Sequence, residues 1–232
     1  MLDSIALESR LSDVRERIAR AASRARRDPS SVRLVAVSKT FPSEYIRAAA
    51  AAGQVDFGEN KVQEGLSKMA ETADLSLRWH LIGHLQSNKA KQAVAFHAIQ
   101  SIDSSSLLQK VDHAAATVGR TVQVLIQVDL AREPTKHGID PQDLRPLLDV
   151  ADACKAVRLK GLMLLPPAFD NAEGARPYFS ALRSLRDDLV REGRDPSTLG
   201  ELSMGMSHDF EVAVEEGATL VRVGSAIFGA RT

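Results

Sequence analysis

The chain has 232 residues, 44% of them hydrophobic, and its 30 lysines and arginines balance its 30 aspartates and glutamates. The length fits one α/β barrel, the apolar content argues against disorder, and the charge balance gives no attraction to nucleic acid or to an anionic membrane. The only cysteine, Cys154, excludes an internal disulfide and a metal cluster built from cysteines. The sequence has neither an apolar run of about 20 residues nor a secretory signal. We therefore expect a cytoplasmic protein without membrane or nucleic-acid partners.

The first segment, residues 1–28, is predicted to be an extra helix that packs on the body of the protein. Leu7, Leu11, Val14 and Ile18 recur at helical spacing and form one apolar stripe. The arginines of this segment raise the alternatives of a transit peptide or a nucleic-acid patch. Acidic residues alternate with these arginines, whereas transit peptides are poor in acids. This mixture favours a solvated outer face on a packed helix.

From residue 32 onward, short apolar runs alternate with helical stretches. The predicted strands are 32–38, 55–58, 79–83, 98–103, 122–130, 158–164, 200–203 and 220–223, and the helices between them are 43–52, 61–72, 89–95, 105–118, 141–153, 171–191 and 208–216. This count predicts an α/β fold, a single (β/α)8 TIM-type barrel, with a last short helix after Phe228 lost or fused to the C-terminus. Apolar strands suit a parallel sheet covered on both faces. A doubly wound open sheet remains the alternative, because one sequence does not give the strand order.

Lys39 ends the first predicted strand of the barrel. In barrel enzymes the carboxyl ends of the strands carry the chemistry. A lysine amine held there, in surroundings poor in water, is expected to have a lowered pKa and to react with an aldehyde.

The loops after the seventh and eighth strands have the composition of a phosphate site. Such loops often bind phosphate in barrels, with a helix N-terminus behind them. Gly205 and Gly224 let the backbone approach an anion, and hydroxyl donors are present at Ser203, Ser207 and Ser225. Ser207 alone is better explained as a helix N-cap. Together with the lysine, the two glycine-serine junctions predict a site for pyridoxal phosphate (PLP).

Arg222 lies inside the last predicted strand, between Val221 and Val223, so it faces the opposite side from both. One interpretation is a buried arginine paired with a carboxylate such as Glu59 or Glu201. The other places its guanidinium against the ring nitrogen of a cofactor. A permanently charged arginine would keep that nitrogen unprotonated and weaken the ring as an electron sink. The residue types do not decide between the two.

Several motifs together resemble the pyridoxal phosphate homeostasis protein family, from about residue 32 to residue 231. They are LVAVSKT (34–40), FGENKVQE (57–64), WHLIG (79–83), LQSNK (85–89), GLM (161–163), LSMGMS (202–207) and VRVGSAIFG (221–229). The motifs agree in order over nearly the whole chain, so the resemblance is highly specific.

The resemblance implies a fold-type III barrel like that of alanine racemases, formed by one domain over residues 1–232. It implies that PLP is held as an aldimine on Lys39, that Ser203 and the Gly224-Ser225 pair bind its phosphate, and that Arg222 faces its ring nitrogen. The implied cofactor-binding residues are Lys39, Asn60, Ser203, Met204, Arg222, Gly224 and Ser225. The implied role is control of free PLP and of amino- and keto-acid balance, without catalytic turnover. PLP-dependent apoenzymes are the implied partners, and we expect a monomer.

Two enzymatic alternatives use the same barrel. A racemase needs a second base, usually a tyrosine, which the resemblance places on a C-terminal β-domain. The tyrosines of this chain, Tyr45 and Tyr178, fall in predicted outer helices, so at most a weak racemase is expected. A Schiff-base aldolase acting on a sugar phosphate would need an acid–base residue near Lys39, for which Asp103 and Asp129 are the nearest candidates.

Three positions depart from the common family pattern. His84 stands where proline is usual, Asp129 replaces an asparagine, and His208 stands where a small or acidic residue is frequent. None of them is a mapped lysine or phosphate residue, so the departures concern the rim of the site.

No metal site is predicted. His80 and His84 are four residues apart, which is a metal-ligand spacing only on a helix, and this segment is predicted to be strand and loop. The remaining candidates, His97, His113 and His137, are too scattered in sequence to complete a ligand set.

Overall fold

A computed structural model of the chain describes residues 3–131 and 137–229 and contains a closed barrel of eight parallel strands. The strands follow one another around the barrel in chain order: β1 (Arg33–Val37), β2 (Asp56–Glu59), β3 (Arg78–Leu81), β4 (Ala98–Ile102), β5 (Val122–Gln127), β6 (Val157–Met163), β7 (Glu201–Ser203) and β8 (Leu220–Val223). Pairing of β8 with β1, which sets Arg222 opposite Val35, closes the barrel. The predicted (β/α)8 barrel is confirmed, and the open sheet is excluded.

The helices lie between these strands, at or near their predicted positions. They are α1 (Ser4–Arg24), α2 (Ser43–Ala51), α3 (Val62–Glu71), α4 (Ala90–Ala93), α5 (Ser105–Thr117), α6 (Leu144–Ala153), α7 (Arg176–Arg191), α8 (Phe210–Glu215) and α9 (Ser225–Phe228). Short 3-10 turns precede α4, α6 and α7. The segment after Phe228, in which a last helix is expected to be lost or fused to the C-terminus, lies outside the described residues beyond Gly229. A short helix not predicted from the sequence, α9, comes directly after β8, because the amides of Ile227 and Phe228 both donate to the Gly224 carbonyl at 2.9 Å. None of the described helices combines the length and apolar character needed to cross a membrane.

The two faces of the barrel strands have different surroundings. Outward-facing residues join one large core with the helices, as a parallel sheet covered by helices requires. Inside the barrel the buried apolar cluster is small and consists of Val35, Leu125, Met163 and Leu220. Buried polar side chains occupy interior positions above and beside this cluster, so the inside of the barrel must satisfy hydrogen bonds.

Helix α1 packs on the barrel as predicted, and the four residues of its apolar stripe are buried. Its arginines do more than form a solvated face. Arg10 donates from Nε to the Ile227 carbonyl at 2.7 Å. Arg17 pairs with Glu211 at 2.9 Å and lies over the Phe210 ring, 4.6 Å from its centroid. These contacts join α1 to α8 and α9, which flank the last two strands of the barrel.

Gly161 of β6 lies so close to β7 that no larger residue fits. A Cβ built there would overlap the backbone carbonyl of Glu201, which belongs to the paired strand. We expect Gly161→Ala to lower the free energy of unfolding by about 1 to 3 kcal/mol, measured by denaturant titration. The matched variant Gly200→Ala, whose Cβ would meet no atom closer than 3.6 Å, should change it by less than about 0.5 kcal/mol. Equal losses in the two variants would contradict this account of the β6–β7 contact.

Candidate functional site

A cavity of about 560 Å³ opens at the carboxyl ends of the strands. Its wall is formed by Val37, Lys39, Phe41, Asn60, Ile82, Gly83, His84, Gln127, His137, Leu165, Met206, Ser207, His208, Arg222, Gly224, Ser225 and Gly229. The volume is within the range of small-molecule sites, and the position is the one at which barrel enzymes carry their active sites. This cavity is therefore the candidate functional site.

Five of the seven predicted cofactor residues line the cavity: Lys39, Asn60, Arg222, Gly224 and Ser225. They come from the ends of β1, β2 and β8, which are adjacent in the closed barrel. Closure of the barrel therefore brings the lysine near the start of the chain to the same mouth as the glycine-serine pair near its end.

The other two predicted residues, Ser203 and Met204, do not line the cavity. Both are fully buried: the Ser203 hydroxyl lies inside the barrel beside Arg222, and Met204 belongs to the outer core. Ser207, which the sequence favours as a helix cap, lines the cavity instead. It is not the cap of α8, because its Oγ accepts a hydrogen bond from the Gly224 amide at 3.1 Å.

The turn after β1 places Lys39 under tight local restraint. Thr40 has φ of 69°, a left-handed conformation that is uncommon for a residue other than glycine. Its amide donates to Glu64 Oε1 at 2.5 Å, and the Phe41 amide donates to the Ser38 carbonyl at 3.0 Å. A residue in this region persists only where its surroundings hold it there. These two hydrogen bonds supply that restraint on both sides of Thr40.

A buried ammonium group holds the same turn from behind. Lys68 of α3 donates from Nζ to the Ser38 carbonyl at 2.8 Å and to Glu59 and Glu64 at 2.7 Å each, which matches the three donors of a lysine. The Ser38 hydroxyl also donates to Glu59 at 2.7 Å. Burial raises the pKa of Glu59, against the opposing hydrogen bonds from Lys68 and Ser38. Lys68 is therefore the cation that stabilises the charged form of Glu59 against the cost of burying it.

Arg222 begins a chain of hydrogen bonds that runs down the inside of the barrel. Its guanidinium donates to Ser203 Oγ at 2.6 Å and to the Leu164 carbonyl at 2.8 Å. Because arginine can only donate, the Ser203 hydroxyl accepts from it. The same hydroxyl donates a hydrogen bond to Gln100 Oε1 at 2.6 Å. The Gln100 amide nitrogen in turn lies 3.1 Å from His80 Nδ1, which must therefore accept.

This chain of hydrogen bonds ends on the carboxylate of Asp56, near the opposite mouth of the barrel. Since Nδ1 of His80 accepts, its proton is on Nε2, 2.8 Å from Asp56. Asp56 also accepts from Arg78. Burial by itself would raise the pKa of Asp56, but the hydrogen bonds from His80 and Arg78 lower it to about 2. The carboxylate therefore remains charged at neutral pH and fixes the tautomer of His80.

The pairing of Arg222 with Glu59 or Glu201, one of the two interpretations open from the sequence, is wrong. Glu59 binds Lys68, and Glu201 pairs with Arg33. Arg222 is 3% exposed, and this burial lowers its pKa to about 10. Arg222 thus keeps its charge at neutral pH while lining the cavity.

The loop between β7 and α8 is compact where it meets the cavity. Gly205 has φ of 92°, and a Cβ there would overlap the side chain of Ala213. The Met206 amide donates to Asp209 Oδ1 at 2.6 Å. These restraints hold Met206 and Ser207 on the cavity wall, next to the loop that carries Gly224.

The side chains considered for enzymatic alternatives lie elsewhere. Asp103 and Asp129 are not on the cavity wall. Tyr45, in α2, packs against Phe41 with ring centroids 5.2 Å apart, and Tyr178, in α7, packs against Phe169. Within the described wall there is neither a tyrosine nor a carboxylate.

The wall also contains histidines that the sequence did not bring together. The rings of His84 and His137 are stacked, with centroids 3.6 Å apart and planes 12° apart, and Asp103 lies beside them. The expectation that His137 is too scattered to join a cluster is wrong. The loops after β3, β4 and β5 are neighbours in the barrel, a relation that only the strand order reveals.

Comparison with known proteins first defines the class of barrel. The family model for the N-terminal domain of alanine racemase matches residues 9–232. The solved alanine racemase of Streptomyces coelicolor A3(2) superposes with a TM-score of 0.73 over 99% of this chain and 59% of that one. With 20% identity, this likeness concerns the fold alone.

Relatives of similar length are more specific. The pyridoxal phosphate homeostasis protein of Aquifex aeolicus (strain VF5) is 45% identical over 223 residues, covering 96% of this chain and 97% of the relative. The human protein of the same name is 38% identical over 94% of this chain and 84% of its own length. PipY of Synechococcus elongatus PCC7942, solved with PLP bound, has 42% identity and a TM-score of 0.85 over 96% of this chain and all of PipY. The chain belongs to the pyridoxal phosphate homeostasis protein family.

Replacing Lys68 by methionine removes the cation and leaves the Glu59 carboxylate buried. We expect Lys68→Met to lower the free energy of unfolding at neutral pH by about 3 to 5 kcal/mol. The pKa of Glu59 is higher in the folded than in the unfolded chain, so the protonated carboxyl favours folding and this contribution is lost as pH rises through the folded pKa. The deficit of the variant should therefore shrink in acid. Denaturant titrations across the acidic and neutral range measure it.

Lys61→Met is the matched control, since Lys61 is an exposed lysine directly before the same helix. Its free energy of unfolding should differ from that of the unmodified protein by less than about 0.5 kcal/mol. A deficit of Lys68→Met that stays constant with pH would show that the network does not depend on the charge of Glu59.

Proposed function

We propose that this protein binds PLP in the barrel cavity through Lys39 and acts as a reservoir and regulator of the free cofactor, without catalytic turnover. The observation that carries the proposal is the convergence of Lys39, Arg222 and the Gly224-Ser225 pair on one cavity. The PLP-bound structure of PipY and the shared name of the relatives support the choice of ligand. The proposal treats residues 1–232 as one binding domain.

The residues of the cavity fit PLP by chemical type. A lysine amine condenses reversibly with an aldehyde to form a Schiff base, which makes Lys39 the covalent anchor. Gly224, Ser225 and Ser207 form the phosphate end, where small residues and hydroxyls suit an anion. Because Ser207 Oγ already accepts from the Gly224 amide, its own proton is available to donate to a phosphate oxygen. Asn60 adds an amide to the wall between the ends of β2 and β3.

Ser203 and Met204 act indirectly in this proposal. Ser203 fixes the guanidinium of Arg222 through its 2.6 Å contact, and Met204 is a buried member of the outer core. PLP supplies an electron sink whose strength depends on protonation of its ring nitrogen. Arg222 remains protonated at neutral pH, so it cannot pass a proton to a facing nitrogen without losing its own charge. This favours storage over carbanion chemistry.

The described cavity wall contains neither the tyrosine nor the carboxylate that the enzymatic alternatives were expected to use. A racemase needs a proton-transferring group on each face of the α-carbon, and the tyrosines of this chain pack elsewhere. An aldolase would need an acid–base residue near Lys39, and neither Asp103 nor Asp129 is on the wall. The proposal accordingly includes PLP-dependent apoenzymes as recipients, a monomeric state and a cytoplasmic location.

Lys39→Ala tests the anchor directly. We expect the unmodified protein to show an absorption band of bound PLP, because the Lys39 amine forms a Schiff base with the aldehyde. Borohydride should reduce this bond, and peptide mass spectrometry should find the adduct on Lys39. The variant should lose the band and the reducible adduct. Lys61→Ala, which removes an exposed lysine next to Asn60, should keep both.

The same preparation separates storage from catalysis. Incubation with each enantiomer of alanine in deuterated water should give no more α-proton exchange than free PLP at equal concentration. Exchange above that rate that requires Lys39 would overturn the non-catalytic role. A protein that takes up no PLP, yet is trapped by borohydride with a sugar phosphate, would instead support the aldolase.

Ser207→Ala and Ser203→Ala separate direct contact from support. Loss of one hydrogen bond to the phosphate in Ser207→Ala should weaken PLP binding about 3- to 10-fold. The part-buried Gly224 amide also loses its acceptor, so the free energy of unfolding should fall by no more than about 1 kcal/mol. Ser203→Ala leaves Gln100 and Arg222 with unmatched buried groups, so it should lower the free energy of unfolding by about 1 to 3 kcal/mol. Fluorescence titration and denaturant unfolding measure the two effects. The reverse pattern would assign the phosphate contact to Ser203.

A further inference from the structure

Three metal-binding side chains from three different loops meet at the mouth of the cavity. They are His84 after β3, Asp103 after β4 and His137 in the segment after β5, and one ligand atom of each lies within 4.8 Å of the others. His84 Nδ1 and Asp103 Oδ2 are 3.4 Å apart. This separation is close to the roughly 3.4 Å between two ligand atoms of a tetrahedral ion with bonds of about 2.1 Å.

The backbone under two of these ligands is held by buried side chains. The Ser101 hydroxyl donates to the Gly83 carbonyl at 2.7 Å, next to His84. The Gln127 side-chain amide donates to the His137 carbonyl. Two residues after His137, the Ile139 amide donates to the Gln127 carbonyl at 2.8 Å. The two histidines therefore sit on anchored loops, while their rings remain exposed and able to turn.

The ligand types select a class of ion. Two imidazoles and one carboxylate suit Zn²⁺, Co²⁺ or Ni²⁺, whereas Mg²⁺ and Ca²⁺ prefer all-oxygen sites. Three protein ligands with the remaining position open is the arrangement of an accessible zinc site, in contrast to a closed structural one. The stacked rings must tilt apart for both lone pairs to reach one ion. Their exposure leaves room for that movement.

We propose that His84, Asp103 and His137 form a binding site for a divalent transition-metal ion, with Zn²⁺ as the reference ion, at the mouth of the barrel cavity. Two of the ligands are also part of the cavity wall, so the ion would border the space in which a small molecule binds. The open coordination position would be filled by water or by an anionic group of that molecule. This inference does not depend on the proposed function, because the three ligands are separate from Lys39 and from the phosphate end.

The test is a titration of the full chain, without an affinity tag and freed of metal and PLP, with Zn²⁺ by calorimetry and with Co²⁺ by visible absorption. We expect one ion per chain, and a Co²⁺ spectrum of the intense kind given by tetrahedral nitrogen and oxygen ligands. His84→Ala and His137→Ala should each weaken binding at least about 10-fold, the lower end of what even an outer-shell change costs. Asp103→Asn is the conservative third variant and serves if a histidine variant does not fold.

Two variants control for other histidines. His113→Ala removes an exposed histidine on α5, and His208→Ala removes a cavity histidine outside the cluster, whose ring contacts the Asp170 carbonyl. Both should bind Zn²⁺ as the unmodified protein does. Binding without one-to-one stoichiometry, or binding that survives in a His84→Ala/His137→Ala double variant, overturns the site. Lys39→Ala should retain the metal while losing PLP, which separates failure of the metal site from failure of the proposed function.

Discussion

The inside of this barrel has to accommodate a charged arginine, and the surrounding polar side chains follow from that requirement. Arg222 is almost completely buried, and burial lowers its pKa only to about 10, so the charge remains at neutral pH. A guanidinium can only donate, which makes Ser203 an acceptor and forces each later contact, through Gln100 and His80, to run in one direction. The chain closes on the carboxylate of Asp56, whose charge is stabilised by two donors. If one polar group of this hydrogen-bond chain lost its partner, the network would be less stable than an apolar core in the same place.

A second buried cation, Lys68, likewise determines the polar side chains around it at the end of β1. Lys68 donates to Glu59 Oε1, Glu64 and the Ser38 carbonyl together, and Glu64 holds the strained turn at Thr40. Lys39 lies within that turn, directly before Thr40. Its position on the cavity wall therefore depends on charged side chains behind it that are not part of that wall. Lys68, Glu59 and Glu64 thus act on the site through backbone geometry, whereas Asn60 of the same segment lines the cavity directly.

The sequence predicted the parts of this structure that local pattern controls. Strand and helix positions follow from apolar spacing, and the places of Lys39, Asn60, Gly224 and Ser225 on the cavity wall follow from their positions after strand ends. Arg222 lies inside a strand, and local pattern left its role open. The roles of Ser203 and Ser207 could not be separated, because a strand-end serine faces either into the barrel or into the loop depending on a register shift of one or two residues. The stack of His84 on His137 required the order of β3, β4 and β5 around the barrel, which no local pattern contains. Arg222 and its partner Ser203 are likewise joined only by pairing of separate strands.

The histidines connect the two proposals. Besides Lys39 and Arg222, the acid–base side chains among the described wall residues are His84, His137 and His208, so any weak racemase activity would have to use one of them as its second base. A histidine bound to a metal ion through one nitrogen cannot accept a proton there, because the lone pair is in the bond. Occupancy of the mouth site would therefore remove two of the three candidates and leave His208, whose ring contacts the Asp170 carbonyl at 3.1 Å. The two proposals are consistent, because a metal ion bound by His84 and His137 would suppress proton transfer by these residues. A cofactor that is stored without turnover requires that such proton transfer does not occur.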